Sequence, residues 1–156
     1  MDSVGDVSYR GEVPHPNVIR IVAAVILNSS GSLLLVRKRE TTAFMQPGGK
    51  PETGETTAEA LARELREEVG FELDSADFEF IGRYTAHAAN EPGHLVDADV
   101  FFAVAVHEGL AAAEIEELVW VDPWNMDHLE LAPLTADVMR PFILTRAAAL
   151  RGLVDP

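Results

Sequence analysis

Residues 49–71 read GKPETGETTAEALARELREEVGF. The segment breaks into a Gly/Pro-rich loop followed by a helix. Thr56 and Glu59 have the spacing of a capping box, which marks the helix start. Gly70 suits the left-handed residue just past its end. Within the helix, Glu64, Glu67 and Glu68 stand three and four residues apart, a spacing that stacks side chains on one side. At about 100° per residue, Glu67 lies about 60° to one side of Glu64 and Glu68 about 40° to the other. Ala58, Leu61, Ala62, Leu65 and Val69 occupy a separate apolar arc of about 100°. One face is thus built for burial and the face beside it is strongly anionic. The carboxylates repel one another, and Glu67 and Glu68 sit near the C-terminal end, where the helix dipole disfavours anions. A hard divalent cation makes such a cluster favourable, because Mg²⁺ and Mn²⁺ take oxygen ligands.

The same stretch resembles the Nudix box, G-x5-E-x7-R-E-U-x-E-E-x-G-U, where U is a bulky apolar residue. Gly49 is its first glycine and Glu55 its first glutamate. Arg63-Glu64-Leu65 forms the R-E-U step, Glu67-Glu68 the acidic pair, and Gly70-Phe71 the close. Every defined position is filled without a gap, which is far more specific than a short glycine motif. The resemblance implies an α/β/α sandwich with the box helix packed on a mixed central sheet. It also implies a Mg²⁺- or Mn²⁺-dependent pyrophosphohydrolase. Glu64, Glu67 and Glu68 would be the main metal ligands, with Glu55 in support and the Gly49 carbonyl as a further ligand. Arg63 would orient a box glutamate by ion pairing; direct contact with phosphate is the second reading, and an exposed helix pair with Glu59 or Glu67, worth only ~0.3–0.5 kcal/mol, is the third. Family members differ in which glutamate acts as general base, and some take it from outside the box. Glu114, in a loop before Trp120, is the candidate for that role, with Glu117 and Glu91 behind it.

The chemistry explains why such residues would be used. Water is a weak nucleophile and a diphosphate repels attack with its own charge. Divalent cations lower the pKa of bound water and neutralise phosphate oxygens.

Working outward, Val18–Leu27 (VIRIVAAVIL) has the β-branched, apolar character of a strand buried on both faces. A turn at residues 28–31 leads to a second strand, Ser32–Arg37, and a hairpin. Arg37, Lys38 and Arg39 form the chain's basic cluster. They read either as a solvated strand end or as a reach toward substrate phosphates, with Arg37, Arg39 and Lys50 as substrate-binding candidates. Gln46-Pro47-Gly48-Gly49-Lys50 is a tight turn into the box. After the box come a polar connection, a strand at Phe78–His87, a loop, a strong apolar strand at Asp97–His107 and a short strand at Glu117–Val121. Pro123–His128 suggests a turn of helix. Leu134–Leu150 has helical spacing, with Pro141 marking a kink or restart. This order predicts a layered α/β (α+β) fold with one domain at residues 18–152 behind a loose arm at residues 1–17.

Composition narrows the classes. Twelve Lys and Arg against 26 Asp and Glu give a net charge of −14, which argues against binding a nucleic-acid polymer. Neither a membrane-spanning run nor a signal-like N-terminus is visible, and cysteine is absent, so a cytoplasmic location is the expectation. His87, His94 and His107 have no metal-type spacing, although His87 and His94 flank a loop that could line a pocket. Phe44, Phe80, Tyr84 and Trp120 could stack a nucleobase, though core packing is their ordinary role. A homodimer occurs in the family and is compatible with the N-terminal arm, but nothing in the sequence demands it.

Substrate class is read by resemblance and elimination. ADP-ribose-cleaving subfamilies often carry a proline about sixteen residues past the box, where this chain has His87. Dinucleoside polyphosphate hydrolases often carry a tyrosine just beyond, where Ala88 and Ala89 stand. The coenzyme A signature is absent. Gly48-Gly49-Lys50 is common in MutT-like members. The leading expectation is therefore a MutT-like hydrolase of nucleoside triphosphates, canonical or oxidised, giving a monophosphate and pyrophosphate. ADP-ribose, dinucleoside polyphosphates and nucleotide sugars are the alternatives. A non-catalytic nucleotide sensor is the alternative of another class, but such relatives commonly lose a charged box residue and this box is complete.

Overall fold

The computed structural model describes residues 17–153, so the N-terminal arm up to residue 16 lies outside the described residues. The strands are β1 (Val18–Leu27), β2 (Leu33–Lys38), β3 (Gly48–Gly49), β4 (Glu79–His87), β5 (Leu95–Val104) and β6 (Ile115–Val121). The helices are α1 (Thr57–Val69) and α2 (Arg140–Leu150). The sheet order is β4-β5-β1-β2-β6, with β3 also paired to β1. β1 runs parallel to β5 from Val18 opposite Leu95 to Leu27 opposite Val104, and the other pairings are antiparallel. The sheet is therefore mixed.

The two-residue alternation of β1 divides the core. Val22, Ala24 and Ile26 pack with Ala58, Leu61, Leu65 and Val69 of α1. Ala23, Val25 and Leu27 face the other way, onto Met139, Ile143 and Ala147. That is a three-layer α/β/α sandwich, with the strand run buried on both faces over Val22–Leu27. The burial face of α1 includes Ala60 and leaves Ala62 half-buried, so it reaches round toward the acidic side further than the apolar arc suggested.

The caps of α1 form as their residues require. Thr56 Oγ1 accepts from the Glu59 amide, Glu59 accepts from the Thr56 amide, and Gly70 adopts φ 75°.

Several boundaries differ from the sequence reading. β5 ends at Val104, because Ala105–Gly109 turns away, and β6 begins at Ile115, two residues early. Residues 123–128 form hydrogen-bonded turns rather than helix, held by Asp122 accepting from the Trp124 and Asn125 amides. The helical region breaks into a π-helical stretch, Leu134–Met139, followed by α2. Pro141 sits in the first turn of α2, where its missing N–H costs nothing, so it marks a restart. Among the described residues no helix is long and apolar enough to cross a membrane.

Candidate active site

The site begins with the close approach of β3 to the α1 carboxylates. β3 is clamped onto β1, with Gly48 opposite Ala23 and Gly49 opposite Val22. A Cβ on Gly49 would stand 2.5 Å from the Glu64 carboxyl carbon, so glycine there is what lets the carboxylate lie against the loop. The Gly48 amide donates to Glu68 Oε1 at 3.2 Å.

Arg63 organises the cluster from the flank. Its Nε and Nη2 donate to the two Glu55 oxygens at 2.7 and 2.9 Å, its Nη1 to Glu64 Oε2 at 3.0 Å, and its Nη2 also to the Lys50 carbonyl at 3.2 Å. The bidentate fork ties the loop to the helix. It holds the Glu55 carboxyl below its ordinary range, while the two glutamates push the guanidinium pKa up. The approach of Arg63 to Glu67 is only 3.9 Å.

Glu68 is the unusual member. The residue is 5 % exposed, and burial, reinforced by repulsion from Glu64, raises its pKa to about 8. Burial also raises that of Glu64, against the pull of Arg63. The Glu67 side chain stays 54 % exposed. These carboxylates border a cavity of about 470 Å³, shared with Gly48, Gly49, Lys38, Lys50, Glu91 and Glu114. Among the described residues no three acidic or histidine side chains already converge as a cation cage. The donor set nonetheless fits a hard divalent cation: oxygen ligands only, with Glu68 buried and Glu64 half-buried at a cost that a cation would offset.

The structure redistributes the other candidates. Glu114 and Glu91 border the cavity, whereas Glu117 is taken up by Arg37 at 3.1 Å. Arg37 and Arg39 do not border it; Arg37 also donates to the Thr41 carbonyl, and Arg39 pairs with Glu116 at 2.7 Å. Lys38 borders it instead and acts electrostatically on Glu64 and Glu68. Alternation along β2 gives the reason. Lys38 continues the row of Leu34 and Val36, which faces α1, whereas Arg37 and Arg39 lie on the opposite row. The basic triplet thus contributes Lys38 to the cavity, not the two arginines expected.

His87 borders the cavity and His94 does not. Of the aromatic candidates none borders it. Phe44 is in the core, Phe80 packs edge-on to Phe101, Tyr84 packs on the α2-side core, and Trp120 Nε1 donates to the Glu108 carbonyl. The remaining wall is aliphatic, from Ile19, Ile21, Val96, Ala132 and Leu134, beside Gln46 and Asn90. Neither the aliphatic wall nor Gln46 stood out in the sequence. Ile19 and Ile21 lie on the β1 row opposite α1, so the cavity reaches residues on both faces of the sheet.

A sandwich with a glutamate-lined helix and a glycine loop meeting at a cavity defines a class of phosphoanhydride hydrolases. The family profile for the NUDIX domain matches residues 18–143, and the chain belongs to the Nudix hydrolase family, acting on pyrophosphate bonds. It is 32% identical over 135 residues to the CTP pyrophosphohydrolase of Escherichia coli, covering 84% of this chain and 96% of that protein. It is 30% identical over 129 residues to the 8-oxo-dGTP diphosphatase of Haemophilus influenzae, covering 78% and 89%. Among solved structures, the MutT protein from Methanosarcina mazei matches with a TM-score of 0.65 at 26% identity, over 85% of this chain and 95% of that one.

Proposed function

We propose that this chain is a Mg²⁺- or Mn²⁺-dependent nucleoside triphosphate pyrophosphohydrolase, canonical or oxidised bases included, releasing a nucleoside monophosphate and pyrophosphate. The observation that carries the reading is the complete carboxylate face of α1 meeting the Gly49 loop at a cavity of nucleotide size. The names of the relatives, a CTP pyrophosphohydrolase and an 8-oxo-dGTP diphosphatase, support the triphosphate class.

In this reading Glu64, Glu67, Glu68 and the Gly49 carbonyl hold the cation, and Glu55 supports them through Arg63. Bound there, the cation supplies charge neutralisation at the phosphate oxygens and a lower pKa for the attacking water. The chain's own residues do the rest. Arg63 fixes Glu55 and Glu64 in one frame. Lys38 and Lys50 offer ammonium groups to the phosphates. Glu114 stands on the cavity wall as the base that takes the proton from water. Water's oxygen bonds to phosphorus as the bridging P–O bond breaks, and the leaving phosphate oxygen departs with its electron pair.

The test is a turnover panel with Mg²⁺ of nucleoside triphosphates, ADP-ribose, dinucleoside polyphosphates and nucleotide sugars, using Glu67→Gln as control. The expected result is metal-dependent release of pyrophosphate from triphosphates, with kcat lower by at least roughly a hundredfold in the variant. Turnover of another class alone, or a fully active variant, refutes the reading.

A further inference from the structure

We propose that Arg39 is a positioning residue for the reaction: from outside the cavity it clasps the segment from Ala113 to Glu116 and so sets where Glu114 stands. The inference rests on the reading of Glu114 as the base and adds the residue that places it.

The clasp begins in the ladder between β2 and β6. Arg37 stands opposite Glu117 and Lys38 opposite Ile115, so Glu116 is the extra residue of a β-bulge. Just past both strand ends, the Arg39 amide donates to the Glu114 carbonyl at 2.9 Å. The Arg39 side chain spans the same stretch. Its Nη1 donates to Glu116 Oε1 at 2.7 Å, and its Nε to the Ala113 carbonyl at 3.4 Å. Ala113, Glu114 and Glu116 are thus all held by one arginine.

Backbone strain gathers at the same place. Among the described residues, the non-glycine positions with positive φ are Glu40, at 63°, and Ala113, at 55°. They adjoin Arg39 and Glu114, one on each side of the pairing. A residue with a side chain keeps such a conformation where its surroundings impose it, and such residues cluster at functional sites. At Glu40 the constraint is a turn, in which the Thr41 amide and hydroxyl donate to the Lys38 carbonyl at 3.2 and 2.8 Å. At Ala113 it is a bond on each side. The preceding Ala112 amide donates to the Glu68 carbonyl at 3.0 Å, and the following Glu114 carbonyl is held by Arg39. The segment is therefore tied to the end of α1 on one side and to Arg39 on the other. Ala113 and Glu114 border the cavity between those ties.

Stability alone gives the side chain little to do. The Arg39 and Glu116 side chains are 61% and 46% exposed, and an ion pair that open to water adds little to the fold. Placement of a base is far more sensitive, since a shift of about 1 Å can cost roughly a hundredfold in rate. Loss of the clasp should therefore register in the chemical step before it registers in folding.

Arg39→Gln removes the guanidinium and keeps the backbone amide. Turnover with Mg²⁺ is measured on whichever substrate of the panel above the wild type cleaves fastest. The expected result is a kcat lower by roughly threefold to tenfold, with KM changed less than about twofold and Tm within about 2 °C of wild type. Glu116→Gln cuts the same clasp from its other end and should lower kcat in the same way. The deciding arm is a double-mutant cycle with Glu114→Gln. If Arg39 acts through Glu114, its loss has nothing further to displace, so the double variant should match Glu114→Gln alone within about twofold. An unchanged kcat in Arg39→Gln, an effect on KM alone, or a loss that persists in full beside a slow Glu114→Gln overturns the inference and leaves the base reading standing. A Tm lower by more than about 5 °C in both Arg39→Gln and Glu116→Gln marks the clasp as a part of the fold and overturns it too. A Glu114→Gln enzyme as fast as wild type overturns the base reading, and this inference with it.

Discussion

Replacing Glu68 by glutamine should make the metal-free protein more stable, and increasingly so as pH rises. In the fold Glu68 titrates at about 8, against an ordinary value of 4.5, because it is buried beside Glu64 with a single backbone amide donating to it. Between these values the native state keeps the proton and the unfolded chain gives it up. The native state then binds one more proton, so stability falls with pH by about 1.4 kcal/mol per unit. The contribution is fully present below the unfolded value and lost as pH rises through the folded one. From about pH 5.5 to pH 7.5 the loss amounts to roughly 2.7 kcal/mol, or about 5–10 °C in Tm for a domain of this size. Glutamine has the shape of the protonated acid and does not titrate, so the Gly48 contact can stay while the slope disappears. The assay is denaturant unfolding in a chelator at the two pH values for both proteins; other titrating groups largely cancel in the difference. Adding Mg²⁺ at the higher pH should recover the loss in wild type and do much less for the variant. Parallel pH dependences for the two proteins would refute the burial argument.

Two further predictions separate neighbouring residues. Gly49→Ala places a Cβ against the movable Glu64 carboxyl, so kcat should drop at least about tenfold with a near-normal Tm; Gly48→Ala meets the fixed Val22 carbonyl at 2.0 Å and should lower Tm sharply. Lys38→Met should raise KM for the triphosphate by roughly tenfold, the worth of one phosphate contact, whereas Arg37→Gln, which removes contacts with Glu117 and the Thr41 carbonyl away from the cavity, should change KM less than about twofold; equal effects would refute the placement of Lys38 on the cavity.

How much of this was readable beforehand depends on how far apart the partners lie in the chain. The α1 carboxylates, its caps and its core face follow from spacing within one helix, so residues 56–70 carry that information themselves. Alternation within β2 sufficed in principle for Lys38, since Leu34, Val36 and Lys38 form one row and only one row can face α1. Read as a block of charge, the triplet hides that row. Asp99 is a harder case. It lies fully buried in a strand that reads as apolar, paired to Arg20 at 2.7 Å and Arg83 at 3.1 Å, partners separated from it by 79 and 16 residues. No local rule predicts that a strand aspartate will be satisfied by two arginines, because only the register of β1, β5 and β4 brings them together. Gln46 and Thr135 are 89 residues apart. Their contact depends on how a π-helical stretch packs beside the loop, and each residue alone is an unremarked polar side chain. Local spacing thus exposes the carboxylate cluster, because one helix carries most of it. Polar contacts between elements distant in sequence stay hidden, because the partner of each group is set by packing.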